Sequence, residues 1–180
     1  MSASIHSSPL GGGGVLPGID PRSPRFGAGI TAVLLLVVIA LGLSASAGLS
    51  LGDRAAQPGF ILFAAISALF AWGAFAGVRR HPYGRIFAAV VRPRLAPPTD
   101  REDPIPPTFA QGVGFVITLA GVALHLLGVP HALVITASLA FIAAFLNSVF
   151  AYCLGCQIYL LLVRTGILGR KDAATGATAR

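Results

Sequence analysis

Four stretches of about 20 predominantly apolar residues constrain this chain more than any other feature. A bilayer core is about 30 Å thick and an α-helix rises about 1.5 Å per residue, so a spanning helix needs about 20 such residues. The first stretch covers residues 26–47 and carries no charge, and the second covers 59–78 with Ser67 as its only hydroxyl. The third covers 109–129 and holds Thr118 and His125. Pro130 then breaks the chain, and a fourth stretch runs over 131–163, too long for one perpendicular crossing. The expected fold is all-α: an integral membrane bundle of about four transmembrane helices, with a cytoplasmic amphipathic and Pro-rich loop between helices two and three.

Composition agrees. Of 180 residues, 55% are hydrophobic and 11% are charged, and mean hydropathy is +0.81, whereas a soluble chain carries charge at about a quarter of its positions. Lipid is therefore the solvent and a partner. The net charge of +7 does not indicate nucleic acid, because the 13 basic residues form no stripe interleaved with exposed aromatics. No nucleotide-binding loop, hydrolase triad or pair of carboxylates within one site is present.

Short loops rich in Arg and Lys stay in the cytoplasm. Arg22 and Arg25 precede the first helix, Arg79, Arg80, Arg85, Arg92, Arg94 and Arg101 lie between the second and third, and Arg164, Arg170, Lys171 and Arg180 follow the fourth. With an even number of crossings, all the basic residues except Arg54 share one side. Both termini are therefore expected in the cytoplasm. The competing reading makes the first helix a signal peptide, with Arg22 and Arg25 before it and Ala45-Ser46-Ala47 as its cleavage site, but the apolar run is long for that. A leader, 1–18, and a tail, 169–180, are expected to be disordered around a single membrane domain, 19–165.

In lipid, helices associate through close packing and interhelical hydrogen bonds. Small residues four apart occur as Gly42/Ser46/Ser50, Gly73/Gly77, Ala110/Gly114/Thr118 and Ala140/Ala144/Ser148. They favour a compact bundle and are compatible with a homo-oligomer. Asn147 is expected to hydrogen-bond between helices, and His125 and His131 to sit at the outer interface.

In the long loop, His81-Pro82-Tyr83-Gly84 reads as a turn, residues 85–92 as an amphipathic segment in the headgroup region, and Pro97, Pro98, Pro104, Pro106 and Pro107 as an extended strap back to the membrane. Arg79, Arg80, Arg85, Arg92 and Arg94 are expected to contact anionic lipid or to gather a small anion.

The two cysteines form one Cys-x-x-Cys, Cys153 and Cys156. Residues three apart share a helix face within disulfide range, and Gly155 between them weakens the helix enough for a kink. Counting from the outer turn places Cys153 about 32 Å along helix four, near the cytoplasmic face. There the resting state is expected to be two thiols, as redox or persulfide-relay residues or as apolar filler. No metal or other cofactor is expected, because two cysteines are too few ligands and His125 lies about 22 Å away along its own helix.

Ile19-Asp20-Pro21-Arg22 through Phe26-Gly27, His81-Pro82-Tyr83-Gly84, Val91-Arg92-Pro93-Arg94-Leu95, Glu102-Asp103-Pro104, Phe109-Ala110-Gln111, and Phe145-Leu146-Asn147 through Cys153-Leu154-Gly155-Cys156 occur in that order. Over about residues 19–165 the chain thereby resembles a bacterial, actinobacterial-type membrane family catalogued as domain of unknown function 4395. The resemblance implies no activity, but the family's association with thioredoxin-like proteins and sulfurtransferases suggests such a partner. Three functions follow: a thiol redox or sulfur-relay component, a carrier for a small sulfur-containing anion, and a non-catalytic scaffold.

Overall fold

The computed structural model describes residues 18–45, 50–98 and 100–168. Four of its helices are long and apolar enough to cross a membrane: α1 (Arg22–Leu43), α3 (Pro58–Ala76), α5 (Ile105–Leu126) and α6 (Ala132–Phe150). At the standard rise, 19 to 22 residues span roughly 28–33 Å, the thickness of a hydrocarbon core. Three short helices complete the fold: α2 (Leu51–Ala56), α4 (Pro82–Ile86) and α7 (Leu154–Arg164). The long spans pack as a ring in chain order, α1 on α3, α3 on α5, α5 on α6 and α6 back on α1, while α7 packs against α5.

The helix starts follow local chemistry. Pro58 occupies the first turn of α3, where a missing N–H costs nothing. The helix α5 begins at Ile105, so Pro106 and Pro107 belong to its first turn and not to an extended strap. Proline is tolerated there for the same reason. Ser50 and Asp53 form a reciprocal capping box on α2. Gly77 ends α3 at φ +81, a conformation that a side chain would strain.

The last thirteen residues of the fourth apolar stretch, 151–163, do not continue the single helix expected over 131–163. The α6 helix stops at Phe150, Ala151 turns left-handed at φ 56, and α7 starts at Leu154. The break lies before the cysteine pair, not at Gly155. Gly155 instead permits contact: a Cβ there would lie 2.5 Å from the Ala110 Cβ at the base of α5. Phe109 and Tyr159 pack beside it with ring centroids 5.5 Å apart.

The interior divides into two halves. At the end where α1 terminates and α3 and α6 begin, Leu35, Val38, Phe60, Phe63, Ile66, Leu133, Ala137 and Ala140 form a continuous core. Close approaches seal it, since a Cβ on Gly42 would meet Val134 at 2.9 Å and one on Gly121 would meet Thr136. At mid-depth the buried Thr118 hydroxyl bonds Ser67 Oγ at 3.0 Å, an interhelical link that satisfies both groups without water. At the other end Gly27, Ala28, Ala110, Ala143 and Ala144 face inward, and residues this small leave space that their neighbours do not fill. Large apolar side chains such as Val33, Leu36, Phe75, Val116 and Ile135 point outward, as a lipid-facing surface requires.

Of the expected small-residue stripes, Gly73 abuts Gln111, Gly114 abuts Phe70, and Ala140 and Ala144 are buried. Ser46 lies outside the described residues, as do the expected leader, apart from Gly18, and the tail.

Candidate functional site

The hollow half of the bundle contains a cavity of about 570 Å³, within the ~300–1,000 Å³ range of small-molecule pockets. Its apolar depth is formed by Ile66, Leu69 and Phe70 of α3, Val113 and Ile117 of α5, and Leu139, Ala140 and Ala143 of α6. Cys153 and Cys156 both line it, as do Asn147, Gln111, Arg79, Arg92 and Arg101.

A folded strap roofs the cavity. After α4 the chain continues through a π-helical turn, Phe87–Val91, and a 3-10 turn, Arg92–Arg94. Phe87 is buried, its ring 5.7 Å from that of Phe26, while Ile86 and Val90 face outward. This matches an amphipathic segment with one face in the protein. His81 is 7% exposed and starts the strap. Its Nδ1 accepts the Tyr83 amide N–H at 3.2 Å, which leaves Nε2 to carry the proton and donate to the Leu69 carbonyl, also at 3.2 Å. Burial holds this imidazole below its ordinary pKa, so it is neutral at pH 7. Burial also raises the Tyr83 phenol, which hydrogen-bonds Thr31.

The other edge of the roof is clasped by the chain before α1. Ile19 and Glu102 exchange both backbone hydrogen bonds, at 2.9 and 3.0 Å. Asp20 accepts from the Arg22 side chain at 2.9 and 3.0 Å and from its amide at 3.0 Å. That hydrogen bonding holds the Asp20 carboxyl below the usual carboxylate range, with Arg92 adding to it. Arg22 also donates to the Ala96 carbonyl and Arg101 to that of Gly18.

The cysteines are placed by the chain break. Cys153 is extended and caps α7, and Cys156 lies one turn in. The pair is closed as a disulfide, with Cα atoms 5.2 Å apart, where two free thiols were expected. Leaving the helix at Ala151 lets Cys153 take an extended conformation and turn toward Cys156, a pairing that mid-helix geometry would strain. The Cys156 amide also donates to Cys153 Sγ at 3.3 Å. An N–H aimed at sulfur at a helix start is the kind of contact that stabilises negative charge on sulfur in general.

Of the loop arginines named from sequence, Arg79 and Arg92 reach the cavity. Arg80, Arg85 and Arg94 are not in its wall: Arg80 accepts Trp72 Nε1–H on its carbonyl at 3.2 Å, and Arg94 donates to the Val90 carbonyl. Asn147 lies in the cavity wall. His125 stacks on Phe60 at the opposite end of the bundle. Sequence reasoning missed the structural parts played by Asp20, His81, Gln111 and Arg101. A histidine directly before a proline was the available signal for His81, because that position caps a helix whose first residue needs no N–H.

The profile of a family described as a domain of unknown function (DUF4395) matches residues 19–164. The chain belongs to the DUF4395 family. The DUF4395 match starts at the Ile19 that pairs with Glu102 and ends at Arg164, the last residue of α7, so it takes in the clasp, the roof, the cavity and the cysteine pair. No curated protein and no solved structure matches the chain.

Proposed function

We propose that this membrane protein carries out thiol–disulfide chemistry, or persulfide relay, through Cys153 and Cys156. The observation that carries the reading is that both cysteines sit at the start of α7 in the wall of a cavity of about 570 Å³ between the helices. Structural filler would be expected in the packed half instead. A partner thiolate attacks Cys153 Sγ, the S–S bond breaks, and Cys156 leaves as a thiolate. A second partner thiol then displaces Cys153 from the mixed disulfide, leaving the pair reduced and the partner oxidised. A thioredoxin-like protein or a sulfurtransferase is the partner class proposed. The clustering of every basic residue except Arg54 on one side supports placing this end at the cytoplasmic face of a bacterial inner membrane.

The test is trapping. Cys156→Ser should accumulate a mixed disulfide through Cys153 that reducing agent releases, and Cys153→Ser should accumulate far less. If neither variant traps a partner in cells or exchanges with a glutathione buffer in lipid, the reading fails and the scaffold reading, in which Cys153→Ala/Cys156→Ala keeps full function, takes its place.

A second reading, a carrier for a small sulfur-containing anion, is favoured by Arg79, Arg92 and Arg101 in the cavity wall. It predicts uptake that Arg92→Gln abolishes, whereas Arg94→Gln should have a smaller effect.

A further inference from the structure

The cavity extends from the disulfide into the hydrocarbon-facing depth of the bundle, and we propose that it binds a lipid-soluble quinone that exchanges two electrons with the Cys153–Cys156 pair. The inference rests on the thiol–disulfide reading and names its second substrate.

Three observations carry it. The first is the lining. Below the level of the cysteines the wall is Ile66, Leu69, Phe70, Val113, Ile117 and Leu139, without an ionisable group among them. A glutathione-like or other water-soluble thiol would gain nothing from that surface, and an isoprenoid tail would bury its first units there. The second is the edge of the cavity. Leu139 and Ile158 line it and are also 53% and 42% exposed, so on the side of α6 and α7 apolar side chains stand where it meets its surroundings, while the exposed charged groups of the lining, Arg79, Arg92, Arg101 and Glu102, are gathered at the roof. The third is a set of hydrogen-bond donors that line the cavity together with the cysteines, beside the carboxylates of Asp20 and Glu102 at the roof. Asn147 and Gln111 carry amide N–H groups, and Arg92 and Arg101 lie toward the roof. A quinone has two carbonyl oxygens that only accept, and these donors suit them. His81 is not among them, because both its ring nitrogens are engaged.

The electron count closes. The reduced pair, a Cys153 thiolate and a Cys156 thiol, gives up two electrons as the S–S bond forms. The quinone takes those electrons and two protons to become a quinol. One proton comes from Cys156 and the other from water, replacing the one Cys153 released on ionising. With the partner dithiol of the preceding section as the source, the net reaction is dithiol plus quinone to disulfide plus quinol.

The experiment uses the full chain in lipid nanodiscs, reduced to two thiols and freed of reductant. Decylubiquinone is added and thiol loss and quinol formation are followed together. We expect one quinol per disulfide and oxidation at least about tenfold faster than with the tailless ring at equal concentration, since the tail adds binding in the apolar depth. Ala143→Phe, which places a ring in that depth, should slow the decylubiquinone reaction about tenfold. Should Ala143→Phe fail to fold, the unreactive dimethyl ether of decylubiquinol should compete on the unaltered protein. Exchange with a glutathione buffer is measured on the same sample. Glutathione exchange without quinol formation would overturn the quinone inference and leave the thiol reading standing, whereas loss of both would overturn both. Equal rates with tailed and tailless quinones and no competition would show oxidation outside the cavity and would also overturn it.

Discussion

His81 holds two backbone groups with one ring, and only the neutral imidazole does so. Protonating Nδ1 would remove the acceptor for the Tyr83 amide inside a buried site. The folded pKa lies below the unfolded value of 6.5, so the folded state binds fewer protons. The His81 contribution to stability is therefore fully present above about pH 6.5 and is lost as pH falls through it toward the depressed folded value. Trp72, the single tryptophan, donates to the carbonyl of Arg80 next door, so its emission reports roof docking. We expect that emission to change on acidification with a midpoint below 6.5, and to do so less in His81→Asn, whose amide oxygen can cap the Tyr83 N–H. A transition above 6.5 would contradict the assignment. Gly155 is a second residue whose role is contact: with the Ala110 Cα 2.6 Å from an added Cβ, Gly155→Val should cost about 1–3 kcal/mol. A lowered thermal midpoint in detergent would register it, and an unchanged midpoint would mean α7 does not rest on α5.

At the scale of elements, the clasp between Ile19 and Glu102 ties the chain before α1 to the far end of the roof. Ile19→Pro removes the donor of one of its two hydrogen bonds, worth about 0.5–1.5 kcal/mol. Amide exchange over residues 82–98 should quicken by up to about tenfold, with exchange in the core helices unchanged; uniform quickening would point to global destabilisation instead. The elements also differ in how far the sequence announced them. The four crossings were legible because length and absence of charge suffice to identify a span. Two boundaries were not. Prolines at 106 and 107 suggested an extended strap, yet the first turn of α5 has no use for their missing N–H groups. The end of α6 is carried by Ala151, a residue with strong helix preference and no local reason to turn left-handed. Contacts far away in sequence, Gly155 on Ala110 and Tyr159 on Phe109, draw α7 aside and override that preference. The cysteine pair was visible as spacing, but its position capping a helix over a cavity depends on that break.

For the whole molecule, a ring of four helices in chain order puts α2 and the α5–α6 turn at one end, with the roof, the cavity and the cysteines at the other. The packed half gives the bundle its rigidity, and the small residues of the other half leave the space that chemistry between lipid and cytosol would need. That division has meaning only if the two ends lie on opposite sides of the membrane, and the orientation is testable independently of activity. In a background of Cys153→Ser and Cys156→Ser, Ala55→Cys places a thiol on the exposed side of α2 and Arg85→Cys places one on the exposed side of the roof. Four crossings with the basic end inward predict that an impermeant maleimide labels the first in intact cells and the second only in inverted vesicles. The reverse pattern would keep the bundle and turn the cavity outward, toward oxidising partners, so the partner class proposed above would have to change. Labelling of both from one side would leave no room for a transmembrane ring at all.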